Sequence, residues 1–159
     1  MIVEMPSSER LDLVIQDEAT LNVASRMLHD AVFSANSWSH DEENRCFRLQ
    51  LWREVPEVFK RERLFLCVNR ISFQRARCQF TVHQVNRVAV AVRDRLDNYS
   101  LFRLRYLRER DLLVLETEGA VSMEASIEYL DCRLLDTGET SWKQHGYSFL
   151  SWPRRSLRG

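Results

Sequence analysis

Glycine and proline are scarce in this chain, with four glycines and three prolines among 159 residues. No two glycines lie close together, which excludes a glycine-rich phosphate loop, a dinucleotide-binding fingerprint and a nucleophile elbow, because each of these motifs needs closely spaced glycines. No apolar run approaches the ~20 residues of a transmembrane helix. Residues Met1–Arg10 lack the basic start and apolar middle of a signal peptide, so we expect a cytoplasmic protein.

Clustered metal ligands are also missing. The four cysteines are Cys46, Cys67, Cys78 and Cys132, and no two form a C-x-x-C pair. We expect them to be buried, reduced side chains. The four histidines show no metal-ligand spacing, and a solvated turn explains the HDEE stretch at His40 better than a metal site does. The sequence therefore predicts no metal and no cofactor.

Lysine is nearly absent, although the chain is rich in basic residues. Only Lys60 and Lys143 are lysines, so 21 of the 23 basic residues are arginines (23 minus 2). The 23 acidic residues bring the formal net charge to zero, which makes nucleic acid and membrane surfaces unlikely partners. The arginines either pair with these acids in salt bridges or recognise a carboxylate or phosphate on a partner.

Alternating apolar residues predict a sheet, and one segment predicts a helix. Leu11–Ile15 has the pattern of a short strand, and Asp17 stands where a helix N-cap would be. Apolar residues at spacings of three and four then predict one amphipathic helix over Glu18–His29. Short strands follow in close succession. We therefore predict an α+β fold, mainly an antiparallel β meander (a sandwich or half-barrel) with this N-terminal helix packed on the sheet.

Breaks in the alternation of apolar and polar residues predict where strands and the domain end. Glu54–Arg63 contains Pro56 and is interpreted as a connection. Val88–Val92 (VAVAV) is interpreted as a buried strand, or one whose second face carries alanines under the helix. The predicted organisation is a flexible N-terminus (1–10), a single domain (11–136) and an aromatic, basic C-terminal tail (137–159).

The most regular strand pattern lies in Ala120–Leu135. Odd-numbered residues are apolar up to Tyr129, and from Leu130 the even-numbered ones are apolar, which predicts a bulge, bend or strand end there. Glu124 and Glu128 share the polar face but lie roughly 13 Å apart, because a strand rises about 3.3 Å per residue. The catalytic carboxylates of glycosidases are closer, at roughly 5 to 10 Å. This stretch is therefore a structural strand.

No catalytic residue is predicted. Cys78 and His83 are five residues apart, which places them on opposite faces of a regular strand. The one positive hypothesis is an anion-binding surface, formed if two predicted strands are neighbours; its candidate residues are Arg75, Arg77, Arg103 and Arg105. The alternative is cross-strand pairing of these arginines with acids on the same sheet face, namely Glu116, Glu124 and Glu128.

Three strings carry a resemblance to a known family. They are QDEATLNVASRMLHDAV (Gln16–Val32), FTVHQVNRVAV (Phe80–Val90) and IEYLDCRLLDTGETSW (Ile127–Trp142). In these strings the chain resembles a bacterial domain-of-unknown-function family of small cytoplasmic proteins. The resemblance implies a single compact domain with no recognised cofactor, and it carries no activity or site residue over.

Three classes of function remain open. The first is a non-enzymatic domain that acts through contacts with protein, including assembly into a homo-oligomer through an exposed edge strand. The second is a protein that binds a small anionic ligand on the arginine-bearing sheet face. The third is an enzyme whose site has no recognisable motif.

Overall fold

A computed structural model describes residues 2–4, 10–65 and 68–149. Within these residues the chain forms eleven strands, one α-helix and a short 3₁₀ turn at Arg108–Arg110. In chain order the elements are β1 (Ile2–Glu4), β2 (Asp12–Ile15), α1 (Glu18–Met27), β3 (Val32–Ser34), β4 (Trp38–Asp41), β5 (Cys46–Phe65), β6 (Val68–Val82), β7 (Val85–Val92), β8 (Asn98–Leu107), β9 (Leu112–Thr117), β10 (Val121–Ile127) and β11 (Cys132–Phe149).

The strands form one open antiparallel sheet. Its order is β2-β11-β6-β5-β3-β8-β9-β10-β7, and β1 and β4 pair additionally with β5. A mainly antiparallel sheet with one helix is therefore confirmed, but the sheet does not close. It is also more than a meander. Strands β8, β9 and β10 follow one another, whereas β7 pairs with β10 and β11 returns to β6, because alternation predicts strands but not their partners.

Helix α1 begins as predicted and ends two residues early. The side chain of Asp17 accepts a hydrogen bond from the backbone N–H of Thr20 at 2.7 Å, which caps the helix. The buried side chains Leu21 and Ala24 belong to the main core cluster, together with residues of the sheet. No helix in the part of the chain that the structure describes is long and apolar enough to span a membrane.

The predicted connection at Glu54–Arg63 is wrong, because β5 runs through it. Val55 lies opposite Gln74 and Phe59 lies opposite Phe73, so residues 56–58 have no partner on β6. This bulge breaks the apolar alternation and accommodates a proline inside a paired strand. The sequence pattern was lost there, while the pairing continued on both sides.

The predicted C-terminal tail is strand as far as the structure describes it. Residues 140–149 pair with β6, and irregularities fall between Asp136 and Thr140 and between Gln144 and Gly146. Each irregularity resets the alternation of side chains, which explains why no strand pattern was visible. Near the other end, β1 pairs with β5. Residues 1, 5–9 and 150–159 of the predicted termini lie outside the described residues.

The change of parity within Ala120–Leu135 is confirmed as a strand end. Strand β10 stops at Ile127 and β11 starts at Cys132. The buried positions are odd-numbered before this break and even-numbered after it, as at Met123 and Leu134. The two strands lie in different parts of the sheet, since β10 pairs with β9 and β7 while β11 pairs with β6 and β2.

Both interpretations of Val88–Val92, a buried strand and a strand whose alanines lie under the helix, are wrong. These residues belong to β7, which ends the sheet and, among the described strands, pairs with β10 alone. Val88 and Val90 are partly buried against the main core, whereas Ala89 and Ala91 are exposed. Both faces are apolar because alanine occupies the solvent side of an edge strand.

Candidate functional site

A cavity of about 430 Å³ lies on the face of the sheet that points away from the core of β5 and β6. Its lining contains three cationic side chains, several hydroxyl and amide groups, and no acidic residue. The residues are Val32, Phe33, Ser34, Ser37, Gln50, Leu51, Trp52, Arg75, Arg77, Asn98 and Lys143. They come from β3, β5, β6, the start of β8 and β11, and from the turn between β3 and β4, which holds Ser37.

Strand alternation sets the chemistry of this face. Leu51 on β5 and Cys78 on β6 are buried, so their neighbours along each strand point to the opposite side. On β5 the outward residues include Trp52, and on β6 they include Arg75 and Arg77. Arg77 lies directly opposite Trp52 in the β5–β6 register. The pattern thus places a tryptophan beside two arginines.

Arg75 forms no salt bridge among the described residues, although Glu54 lies directly opposite it in the β5–β6 register. Its guanidinium carbon lies 5.6 Å from the centre of the Trp52 ring, in a cation–π contact. Among the described residues it forms no ion pair or hydrogen bond through its side chain. Its five donors are therefore not taken up by this part of the chain.

The other two cations of the cavity have acidic partners. Arg77 donates to Glu139 at 2.7 Å and to the side-chain oxygen of Gln50 at 2.5 Å. Lys143 donates to Glu54 at 2.7 Å. The carboxylates of both pairs are partly exposed, so solvent screens these contacts. Of the three cations, Arg75 is the one without a salt bridge among the described residues, since its cross-strand neighbour Glu54 is bound by Lys143.

The four arginines of the predicted anion surface do not come together, because the strands that carry them are not neighbours. Strands β5 and β3 lie between β6 and β8, so Arg103 and Arg105 are separate from the cavity. Both donate to Glu116 on β9, as the cross-strand alternative predicts. Burial alone would raise the pKa of Glu116, but the hydrogen bonds from Arg103 and Arg105 outweigh it and the pKa is lowered.

The sequence analysis did not predict a buried ion pair on the core side of the sheet. Arg53 donates through Nε and Nη2 to the two oxygens of Asp136, at 3.0 and 2.7 Å, and each side chain is 6% exposed. Burial tends to lower the pKa of Arg53, but the bonds to Asp136 raise it. The signal in the sequence was a charge at a core position of β5, between the buried Leu51 and Val55.

The described cysteines are not poised for nucleophilic chemistry. Burial raises the pKa of Cys78 and of Cys132 to about 12, and it also raises the pKa of Cys46. The Cys78 thiol donates a weak bond to the backbone oxygen of Leu51 at 3.6 Å. Within residues 2–4, 10–65 and 68–149 no three His, Cys, Asp or Glu side chains group as a metal site would require.

Comparison with known proteins gives one match. The model of a family described as "Protein of unknown function (DUF2948)" matches residues 11–146. This span includes the three strings that carried the resemblance, so the predicted relation to a family of unknown function is confirmed. No curated protein and no solved structure matches the chain.

Proposed function

We propose that this chain, which belongs to the DUF2948 family of proteins of unknown function, binds a small anionic molecule at Arg75. The observation that carries the proposal is the position of Arg75. Its guanidinium lies over Trp52 in a cavity of ligand size and has no acidic partner among the described residues. Pockets for small ligands occupy roughly 300–1,000 Å³, and about 430 Å³ is within that range.

The lining favours a ligand with one carboxylate or phosphate and a polar body. A guanidinium binds either group through two parallel hydrogen bonds. The contact with Trp52 restricts the orientation of the Arg75 guanidinium, which lowers the conformational entropy that this side chain loses when a ligand binds. Ser34 and Asn98 add a hydroxyl and an amide at the other side of the cavity. Arg77 adds little net charge, because Glu139 pairs with it.

The test is a titration with inorganic phosphate and, separately, with a small dicarboxylate, followed through the indole N–H resonance of Trp52. We expect saturable shifts in the wild type with at least one of the two anions. Arg75→Gln abolishes them and Arg75→Lys weakens them, because lysine cannot bind bidentately. Arg103→Gln is the matched control, as Arg103 is an arginine of the same sheet outside the cavity. Linear shifts, or equal losses in Arg75→Gln and Arg103→Gln, would disprove the site.

Contact with another protein is a second candidate function, favoured by the end of the β5–β6 hairpin. Phe65 is 74% exposed there and the adjacent Leu64 is 37% exposed. Exposed aromatic side chains are typical anchors of protein interfaces. A photo-crosslinking residue at position 65 should capture one protein in cells, whereas the same residue at Phe102, also exposed, should not. Equal capture at both positions, or none, would count against this function.

Two further proposals concern the packing of helix α1 and the cellular location of the protein. We propose that α1 packs on the sheet as a cover, supported by the bond from the Leu104 amide to the hydroxyl of Ser25 at 2.9 Å. We also propose that the protein works in the cytoplasm of a bacterial cell. The buried, unpaired thiols of Cys46, Cys78 and Cys132 suit a reducing compartment. Cell fractionation with antibody detection tests the location, and recovery outside the cytoplasm would contradict it.

A further inference from the structure

Strand β7 presents, along Val88–Val92, an edge that no described strand pairs with, whereas the backbone oxygen of Arg45 accepts from the amide of Val85 at its start. The path of strands through the sheet ends at β7, whose one partner there is β10. The amide of Arg93 donates to the oxygen of Ala120 on the β10 side. Amides alternate in direction along an antiparallel strand, so those of Val88, Val90 and Val92 point to the open edge.

The residues on this edge lack the usual protection against pairing. Natural edge strands carry lysine, proline or inward-pointing charge to prevent another strand from adding. Val88–Val92 contains none of these, and the only bulge of β7 lies at its start, near Arg87. Val92 is 49% exposed although it lies on the same face as Val88 and Val90. The edge therefore combines open backbone groups with exposed apolar surface.

We propose that β7 pairs antiparallel with β7 of a second copy of this chain, about a two-fold axis, and so joins two sheets into one. The occupant is a second copy because the edge is complementary to itself. Its valines and alanines alternate strictly, so an antiparallel copy places valine beside valine on the core side and alanine on the solvent side. A two-fold interface requires this kind of self-complementarity.

Charge selects the register of the pairing. A pair centred on Val90 would place Arg87 opposite Arg93 of the second copy, and directly opposed like charges destabilise a sheet. A pair centred on Ala89 places Val88 opposite Val90, and Arg87 opposite Ala91 of the second copy. The second register joins the partly buried valines of both copies and avoids opposed charges. We assign the Ala89-centred register to the dimer.

Sedimentation velocity of the full chain over a wide range of concentration tests the dimer and its register. The wild type should dimerise with rising concentration. Ala91→Lys should lose the dimer, because the lysine faces Arg87 of the second copy, while Ala91→Glu should keep or strengthen it. Ser122→Lys is the matched control, since Ser122 lies next to Ala91 on the same face but one strand inward.

Three results would overturn the proposal. They are a wild type that stays monomeric at every concentration, equal loss of the dimer in Ala91→Lys and Ser122→Lys, and loss in Ala91→Glu as complete as in Ala91→Lys. Far-UV circular dichroism checks that the variants fold. Hydrogen exchange of the wild type provides a test without mutation, because the amides of Val88, Val90 and Val92 should become protected as concentration rises. Exchange that does not depend on concentration would also overturn it.

Discussion

Replacing Asp136 by Asn would leave the buried guanidinium of Arg53 without an anion. Asp136 accepts three hydrogen bonds, two from Arg53 and one from the backbone amide of Leu11 at 3.0 Å. Asparagine offers one oxygen, and its amide nitrogen cannot accept. At least one donor therefore loses its acceptor at a position where each side chain is 6% exposed.

The expected loss is large because the charge of Arg53 stays buried. Removing one partner of a buried ion pair costs about 3–5 kcal/mol, which is a sizeable part of the ~5–15 kcal/mol that holds a domain folded. A urea m-value of about 2 kcal/mol/M converts this loss to a midpoint shift of about 2 M. The Arg53–Asp136 pair joins β5 to β11 across β6. The lost free energy of unfolding therefore comes from contacts between strands that are distant along the chain.

Urea unfolding followed by tryptophan fluorescence measures the shift, and the chain supplies a matched control. Arg133 and Asp12 form a second bidentate pair, with both distances 2.8 Å, but their side chains are about half exposed. Asp12→Asn removes the same chemistry from a solvated site, and it should leave the midpoint nearly unchanged. Burial is the main difference between the two pairs.

Equal effects of Asp136→Asn and Asp12→Asn would refute the reasoning. A second check combines Arg53→Met with Asp136→Leu. Replacing both partners of a buried pair with apolar side chains often restores stability, because no charge is left buried. The double variant should therefore be more stable than Asp136→Asn. A double variant as unstable as the single one would show that the cost arises from the local backbone.

Two further predictions concern titration and thiol reactivity. The lowered pKa of Glu116 means that its stabilisation is fully present above the unfolded value of about 4.5 and is lost as pH falls through the folded pKa. The stability difference between wild type and Glu116→Gln should therefore shrink below pH 4.5 in a series of urea titrations, and a constant difference would contradict this. Cys78 and Cys132, whose pKa is about 12, should not react with Ellman's reagent at pH 8 in a Cys67→Ser background until the protein is unfolded. Fast reaction of the native protein would show that these thiols are accessible.

The local pattern of residues was sufficient to predict the helix and most of the buried core positions. Asp17 and the apolar spacing after it predicted α1, because capping and amphipathicity act within a few residues. Alternation predicted where the strand within Ala120–Leu135 ends and which of its side chains are buried, except for Tyr129, which is 53% exposed. The same rule could have identified Arg53 as a buried charge, since it occupies a core position of an alternating strand.

Two strand segments were not predicted from the sequence, because bulges interrupt the alternation of side chains. The pairing of β5 past Pro56 and of β11 past Asp136 depends on hydrogen bonds to β6, which do not require an unbroken side-chain pattern. The open edge of β7 escaped for a different reason. An apolar run such as Val88–Val92 has the same appearance at the centre of a sheet and at its edge.

The sequence by itself determined most of the strands, the helix cap, and the shared strand face of Arg75 with Arg77 and of Arg103 with Arg105. Tertiary structure alone decided which arginines have partners. Arg103 and Arg105 meet Glu116 across β8 and β9, whereas the register of β5 and β6 brings Arg75 to Trp52. The physical reason is that ion pairs and cavities form between residues distant along the chain, and strand order and register set those distances.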